Sequence, residues 1–390
     1  MHGRRILDEK YRSEEEKEAL KLNAKKYANI CAIALTKYKL RDYSMENIEL
    51  TSSLLRINPD FYSMWNYRRH MLLYHYQDKY GLQQELSTIE GGRSSKLDTT
   101  SNISDSKRIK EIVVTEFELT KDAIMKNPKS YGAWYHRQWI IQRFQYSTDI
   151  ELNLCDKLLS IDGRNFHCWN YRSFVIEDSK VGLNEELKFT LEKIIENFSN
   201  YSAFHCRSSL MKHMIDEVYE NREKNEKDNE NNILNIRNML ERETEVVENA
   251  IFTEPDDQSP WWYLRFLIQC SLSVYQKIVN NDSSNDNNND NNHVVVRTDV
   301  GTSFRVWLEY LLSKLVISIE ELLEEEGGLM SDDGGRWCKM ALVDLYTSRY
   351  TFLYSNSDYG RRQVLLDALT HTDPTHKVRY QYLLQSNSSF

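Results

Sequence analysis

The stretch Asn127-Pro128-Lys129-Ser130-Tyr131-Gly132-Ala133-Trp134-Tyr135-His136-Arg137 decides the fold, because the chain repeats it. Residues 58–68 read N-P-D-F-Y-S-M-W-N-Y-R and residues 162–172 read D-G-R-N-F-H-C-W-N-Y-R. Weaker copies occupy 197–207 (N-F-S-N-Y-S-A-F-H-C-R) and 255–265 (P-D-D-Q-S-P-W-W-Y-L-R). The aligned aromatics are Trp65, Trp134, Trp169, Phe204 and Trp262, each followed three positions later by Arg68, Arg137, Arg172, Arg207 or Arg265. Trp134 to Trp169 and Trp169 to Phe204 are both 35 residues. A fixed period of that size is the signature of a repeat array.

Stacked repeats share one continuous core, so the 390 residues read as a single helical-repeat domain, 1–390. Glycine (13) and proline (5) are scarce and aromatics reach 12%. That composition favours helices with large packing side chains over a turn-rich sheet protein. The predicted class is all-α: a right-handed α-solenoid, or superhelix, of helical hairpins.

A long helix is predicted over 13–39, acidic at its start and apolar at helical spacing toward its end. Each repeat then supplies two helices. The first ends in an apolar turn such as Leu54-Leu55-Arg56-Ile57, and the second carries the aromatic. Asn58, Asn127 and Asp162 are predicted N-caps of the second helices, with Pro59 and Pro128 at the first helical position. Each buried tryptophan removes on the order of 200 Å² from water. Each arginine, one turn beyond its aromatic, is expected to pair with carboxylates or helix-end carbonyls of the adjacent repeat. Three polar segments, 87–107, 220–232 and 280–293, break the period and are read as mobile insertions. Two amphipathic helices near 304–326 and 336–355 begin a C-terminal cap over 304–390, and Asp373-Pro374 looks like a degenerate last copy.

The formal net charge is −9 with both signs mixed along the helices, so no basic stripe marks a nucleic-acid face. Six scattered cysteines without a C-x-x-C pair fit reduced thiols rather than a disulfide framework or structural zinc. No apolar run approaches the ~20 residues needed to cross a bilayer, and a cytoplasmic location is expected. The phosphate-loop, dinucleotide, nucleophile-elbow and H-E-x-x-H signatures are all missing.

One column across the repeats is out of pattern. Five residues before the aromatic stand Asp60, Lys129, Arg164, Ser199 and Asp257. A first helical turn favours anions and disfavours cations, so Lys129 and Arg164 break the rule. An anion bound beside them and a merely solvated cationic side chain both satisfy the pattern. Three before the aromatic stand Tyr62, Tyr131, Phe166, Tyr201 and Ser259, a recurrence that speaks first for packing. Tyr131 and Phe166, with Gly132 and His167 directly after them, would offer an apolar wall beside the cations.

These residues resemble the repeats of protein prenyltransferase alpha subunits. K-S-Y-G-A-W-Y-H-R from Lys129 and R-N-F-H-C-W-N-Y-R from Arg164 carry the resemblance, which extends through the five copies to the opening M-H-G-R and the C-terminal D-P. N-P-K-S-Y-G, R-N-F-H-C-W and that opening look like the branch serving Rab geranylgeranyl transfer. Gly132 stands where the CaaX branch carries a glutamine that holds a peptide carboxylate.

The resemblance implies helical hairpins wrapped around a separate beta subunit that holds the catalytic zinc and most of the lipid pocket, with no cofactor on this chain. It implies Rab GTPases as substrates, a Rab escort protein as third partner and geranylgeranyl diphosphate as donor. Lys129 would be the catalytic contact to the diphosphate, with Tyr131, His167 and Arg164 in the same cleft. A CaaX-type alpha subunit and a non-catalytic helical scaffold are the alternatives. His2, on a terminal arm, could in principle visit the partner's zinc, though a disordered terminus is the plainer expectation.

Overall fold

A computed structural model describes residues 13–76, 103–144, 146–179, 182–220, 226–284, 299–330, 335–353 and 356–386. The opening M-H-G-R with His2, and 87–102, 221–225 and 285–293 of the three expected insertions, lie outside the described residues. Among the described residues every regular element is a helix. The chain divides into two compact units, Met1–Ser179 and Lys180–Phe390.

The first unit contains α1 (Glu14–Lys39), α2 (Glu46–Ile57), α3 (Tyr62–Tyr76), α4 (Ile103–Lys126), α5 (Tyr131–Ile141), α6 (Thr148–Ile161) and α7 (Phe166–Ser179). After α1 the helices pair as hairpins α2–α3, α4–α5 and α6–α7. Helix α1 starts where the acidic stretch predicts, on a capping box in which Ser13 Oγ accepts from the Glu16 N–H and the Glu16 carboxylate accepts from the Ser13 N–H.

The second unit contains α8 (Leu183–Glu196), α9 (Tyr201–Glu220), α10 (Glu226–Thr253), α11 (Gln258–Ser284), α12 (Asp299–Glu325), α13 (Arg336–Leu353), α14 (Asn356–Thr372), a 3-10 turn (Pro374–His376) and α15 (Lys377–Gln385). Hairpins α8–α9 and α10–α11 continue the repeat. Parts of the expected insertions are helical: 103–107 open α4, 226–232 open α10 and 280–284 close α11. Six residues after Pro374, where the repeats place their aromatic, Tyr380 is buried and donates to Asp373 Oδ2 at 2.5 Å.

The hairpin junction differs from the predicted cap. Asn58 ends α2 in an extended conformation (φ −132°, ψ 94°), as the following proline demands. Its Oδ1 accepts from the Asp60 N–H at 3.1 Å, an Asx turn rather than a helix N-cap. Asn127, Asp162 and Asn197 make the same bond to Lys129, Arg164 and Ser199 at 3.2, 3.2 and 2.9 Å. The second helices therefore start later, at Tyr62, Tyr131, Phe166 and Tyr201, and Lys129 precedes the N-cap Ser130.

A carbonyl inside each turn anchors the aromatic. The indole Nε1 groups of Trp65, Trp134, Trp169 and Trp261 donate to the carbonyls of Pro59, Pro128, Gly163 and Pro255 at 2.7–2.9 Å, always six residues back. Within the first unit the same carbonyls also tie successive turns together. Ser130 Oγ donates to the Pro59 carbonyl at 2.8 Å, and Asn165 Nδ2 to the Pro128 carbonyl at 3.1 Å.

This bond corrects the register of the fifth copy. Trp261 is the anchor, 5% exposed, whereas Trp262 is 42% exposed. The shift moves Asp256 and Gln258, not Asp257 and Ser259, into the two columns before the aromatic. It also puts buried Leu264 where the other copies have arginine. Arg265 instead lies 3.5 Å from Asp344, at a small open pocket that Trp262 and Trp337 also line.

Arg68, Arg137 and Arg207 are buried and hold hairpins together, while buried Arg172 reaches Asp156 of its own hairpin at 2.7 Å. Arg68 reaches Glu116 of the next hairpin at 2.7 Å, and its other arm donates to the Ile48 carbonyl and to Thr51 and Ser52 of its own. Arg137 does the same with Glu151 at 2.7 Å, the Phe117 carbonyl and Thr120. In the second unit Arg207 pairs with Glu243 at 2.6 Å and with Thr190. Each glutamate accepts a further bond from the residue twenty positions on: His136, Tyr171 or Tyr263, at 2.9, 2.6 and 2.6 Å. The first hairpin carries neutral Asn47 at the glutamate position, twenty before Tyr67, where no earlier copy supplies an arginine. Leaving a carboxylate buried without its cation is strongly unfavourable.

Candidate functional site

The four residues singled out from the sequence all belong to the first unit, and three of them come together. Tyr131 opens α5; Phe166 and His167 open α7. The Tyr131 ring stands edge-on to the His167 imidazole at 4.2 Å, Phe166 stacks obliquely on the same imidazole at 3.9 Å, and the Tyr131 and Phe166 centroids are 6.2 Å apart. His167 is buried while both flanking rings are about half exposed. The aromatic column is thus an open face and not core, contrary to the packing its recurrence suggested. Tyr62 of the same unit is likewise half exposed. The reason is position: three residues before the buried tryptophan is the first residue of the helix, on its flank, where the next hairpin covers only one side of the ring.

Lys129 sits in the turn that leads into this face. Its side chain is 45% exposed and Nζ lies 3.9 Å from Asp162 Oδ2. Burial, followed by the Lys129 ammonium, lowers the His167 pKa below its ordinary value, so the imidazole is neutral at pH 7. The site therefore presents one half-exposed cation, a neutral buried imidazole and two aromatic faces, a surface suited to an anionic head joined to an apolar chain.

Because α5 begins at Tyr131, Lys129 lies outside the first turn, and its own N–H is already held by Asn127. An unfilled helix terminus therefore does not point to an anion here; the half-exposed ammonium close enough to His167 to act on it electrostatically does. Arg164 is exposed in the next turn, where its N–H donates to Asp162 Oδ1 at 3.2 Å. Gly132 has a structural cause of its own: a Cβ there would sit 2.5 Å from Trp65 Cδ1. The sequence predicts a cap at Asp162; its place as the carboxylate facing Lys129 appears only when two hairpins stack. No cluster of three or more metal-binding side chains occurs among the described residues, and none of their helices is long and apolar enough to cross a membrane.

Comparison with known proteins agrees with this architecture. The protein prenyltransferase alpha subunit repeat matches residues 44–75, 113–144, 149–179, 183–214 and 240–271. These five segments fall on hairpins α2–α3, α4–α5, α6–α7, α8–α9 and α10–α11, one to each. The mouse geranylgeranyl transferase type-2 subunit alpha is 34% identical over 273 residues, 69% of this chain. The chain spans only 42% of the length of that relative. The fission yeast geranylgeranyl transferase type-2 subunit alpha is 27% identical over 397 residues, covering 98% of this chain and 97% of that protein. Among solved structures, a chain of Candida albicans protein geranylgeranyltransferase-I complexed with GGPP superposes with a TM-score of 0.55 over 93% of this chain and 91% of that one, at 16% identity, a likeness of fold. With its Trp–carbonyl anchors and Arg–Glu ties recurring in the matched segments, the chain belongs to the protein prenyltransferase alpha subunit repeat family.

Proposed function

We propose that this chain is the alpha subunit of a type-2 geranylgeranyltransferase, working with a separate beta subunit to move geranylgeranyl from its diphosphate to C-terminal cysteines of Rab GTPases. One observation carries the reading beyond the family: Lys129, alone in its column as a lysine, stands beside the exposed Tyr131–Phe166 face built on neutral His167. Full-length similarity to the fission yeast type-2 subunit supports the Rab branch.

In this reading the thiolate sulfur attacks C1 of the prenyl chain, the C1–O bond breaks, and the diphosphate departs with the bonding electrons. A zinc ion on the beta subunit would favour the thiolate form of the acceptor cysteine. The contribution of this chain is electrostatic. The Lys129 ammonium offsets charge gathering on the departing diphosphate, while Tyr131 and Phe166 shield the first prenyl carbons from water. A neutral His167 can donate one N–H without adding a second positive charge. Gly132 leaves no side chain to grip a peptide terminus, in keeping with varied Rab C-termini. An escort protein presenting the Rab belongs to the same reading.

The test is transfer of labelled geranylgeranyl by the reconstituted alpha–beta heterodimer to a Rab protein, with and without an escort protein. A charge-assisted contact is worth about 1.5–3 kcal/mol, so Lys129→Ala should slow transfer by about 10- to 100-fold. A wild-type rate in a normally assembled heterodimer would remove Lys129 from the reaction. Activity on a CaaX peptide but not on Rab would move the chain to the other branch.

A further inference from the structure

We infer that Asp162 is the built-in counter-ion of Lys129: it holds the ammonium beside the aromatic face and competes with the anionic ligand for it. The inference rests on the reading of Lys129 as the diphosphate contact. In the seam between successive turns, the residue two beyond the Asx position meets the Asx residue of the next turn. At the first seam these are Asp60 and Asn127, whose Nδ2 donates to Asp60 Oδ2 at 2.7 Å. At the next seam they are Lys129 and Asp162. Both ends have changed character together: an acid facing an amide donor has become a lysine facing an acid.

The turn itself does not need the charge. Asn58, Asn127 and Asn197 make the same side-chain-to-backbone bond that Asp162 makes, at 3.1, 3.2 and 2.9 Å against 3.2 Å. An asparagine would therefore serve the fold at position 162, and the negative charge is surplus to it. What the charge does meet is Lys129, at 3.9 Å. That separation lies beyond hydrogen-bond range, so the attraction places Nζ without occupying its N–H donors. A ligand can take those donors directly, but it must first outcompete Asp162 for the ammonium. Binding is then weakened by the population held in the internal pair. The two side chains are 45% and 40% exposed, which keeps the effect modest and sensitive to salt.

The experiment uses the alpha–beta heterodimer and the dissociation constant of geranylgeranyl diphosphate, for Asp162→Asn, Lys129→Ala and the double variant, at low and high ionic strength. Asp162→Asn is expected to tighten binding about two- to five-fold at low salt, less at high salt, and to change it by less than about 1.5-fold once Lys129 is alanine. Unchanged or weaker binding by Asp162→Asn overturns the inference, as does an equal effect on both backgrounds. Failure of the underlying reading looks different: Lys129→Ala itself would bind the diphosphate as the wild type does.

Discussion

His136 Nε2 lies 2.9 Å from Glu116 Oε2, at a position where two other hairpins join the equivalent glutamate to a tyrosine hydroxyl. The imidazole is fully buried between the Trp65 ring at 4.9 Å and the Trp139 ring at 5.6 Å. Tyrosine keeps its proton through the physiological range; histidine can gain one. This tie within hairpin α4–α5 therefore has a titratable donor where its counterparts in α6–α7 and α10–α11 do not.

The pH dependence has a definite sign. Burial lowers the His136 pKa, Glu116 partly opposes this, and Arg68 and Arg69 lower it further. The unfolded chain thus binds a proton near 6.5 that the folded chain refuses, and stability falls as pH drops below that value. Glu116 adds in the same direction below 4.5: burial alone would raise its pKa, but Arg68 and His136 outweigh that and hold it well down. Amide protection factors in α4 and α5, which are corrected for the intrinsic slowing of exchange in acid, should fall between pH 7 and 5.5 in the wild type. His136→Gln, which keeps a donor to Glu116 but cannot titrate, should flatten that slope. Equal slopes would rule the histidine out.

Gly132→Ala should destabilise the first unit by about 1–3 kcal/mol, because its Cβ would fall 2.5 Å from Trp65 Cδ1 and the indole must move. Combining it with Trp65→Phe, which removes the pyrrole edge, should cost less than the two single changes added together. Chemical denaturation of the four proteins measures that coupling, and strict additivity would refute the contact.

Glu151→Ala strands a buried guanidinium and should cost about 3–5 kcal/mol, whereas Arg137→Met with Glu151→Leu should cost far less. Arg137 Nε and Nη2 hold Glu151 at 2.7 and 2.8 Å, so one partner cannot be removed alone without leaving the other unpaired. Exchange protection in α5 and α6 reports the difference. A double variant as labile as Glu151→Ala would contradict it.

The register shift in the fifth copy makes the two adjacent tryptophans unequal. Trp261→Ala removes a buried ring and its bond to the Pro255 carbonyl, and should cost about 3–5 kcal/mol. Trp262→Ala, trimming an exposed ring, should cost under about 1 kcal/mol. Comparable thermal shifts for the two would restore the register read from the sequence.

Lys129→Ala should raise the His167 pKa, since it removes the cation that opposes protonation of the imidazole. Burial remains, so the value should stay below 6.5. An NMR titration of the imidazole nitrogens reads this directly, and an unmoved midpoint would mean that the lysine charge does not reach the site.

Much of the architecture was legible in the sequence because it is written in local chemistry. The aromatic period, the apolar turn before each Asx residue and the acidic start of α1 are settled within a few neighbouring residues. So are the helix starting at 336 and the exclusion of glycine- and histidine-based catalytic motifs. Lys129, Tyr131 and His167 could be picked out because repeated columns expose the exceptional residue, and the resemblance to a family supplied their roles.

What the linear chain could not decide concerns which partner each residue meets once hairpins stack. Trp261 and Trp262 both satisfy the aromatic pattern; only burial and the Pro255 bond choose between them. Asn58 has the composition of an N-cap, yet proline geometry makes it end one helix rather than begin the next. Arg68 finds Glu116 across 48 residues, and Lys129 finds Asp162 across a seam between turns. Spacing along the chain fixes which face of its own helix a side chain occupies. It is the packing of one helix on another, with desolvation deciding which charges must pair, that selects what that face touches.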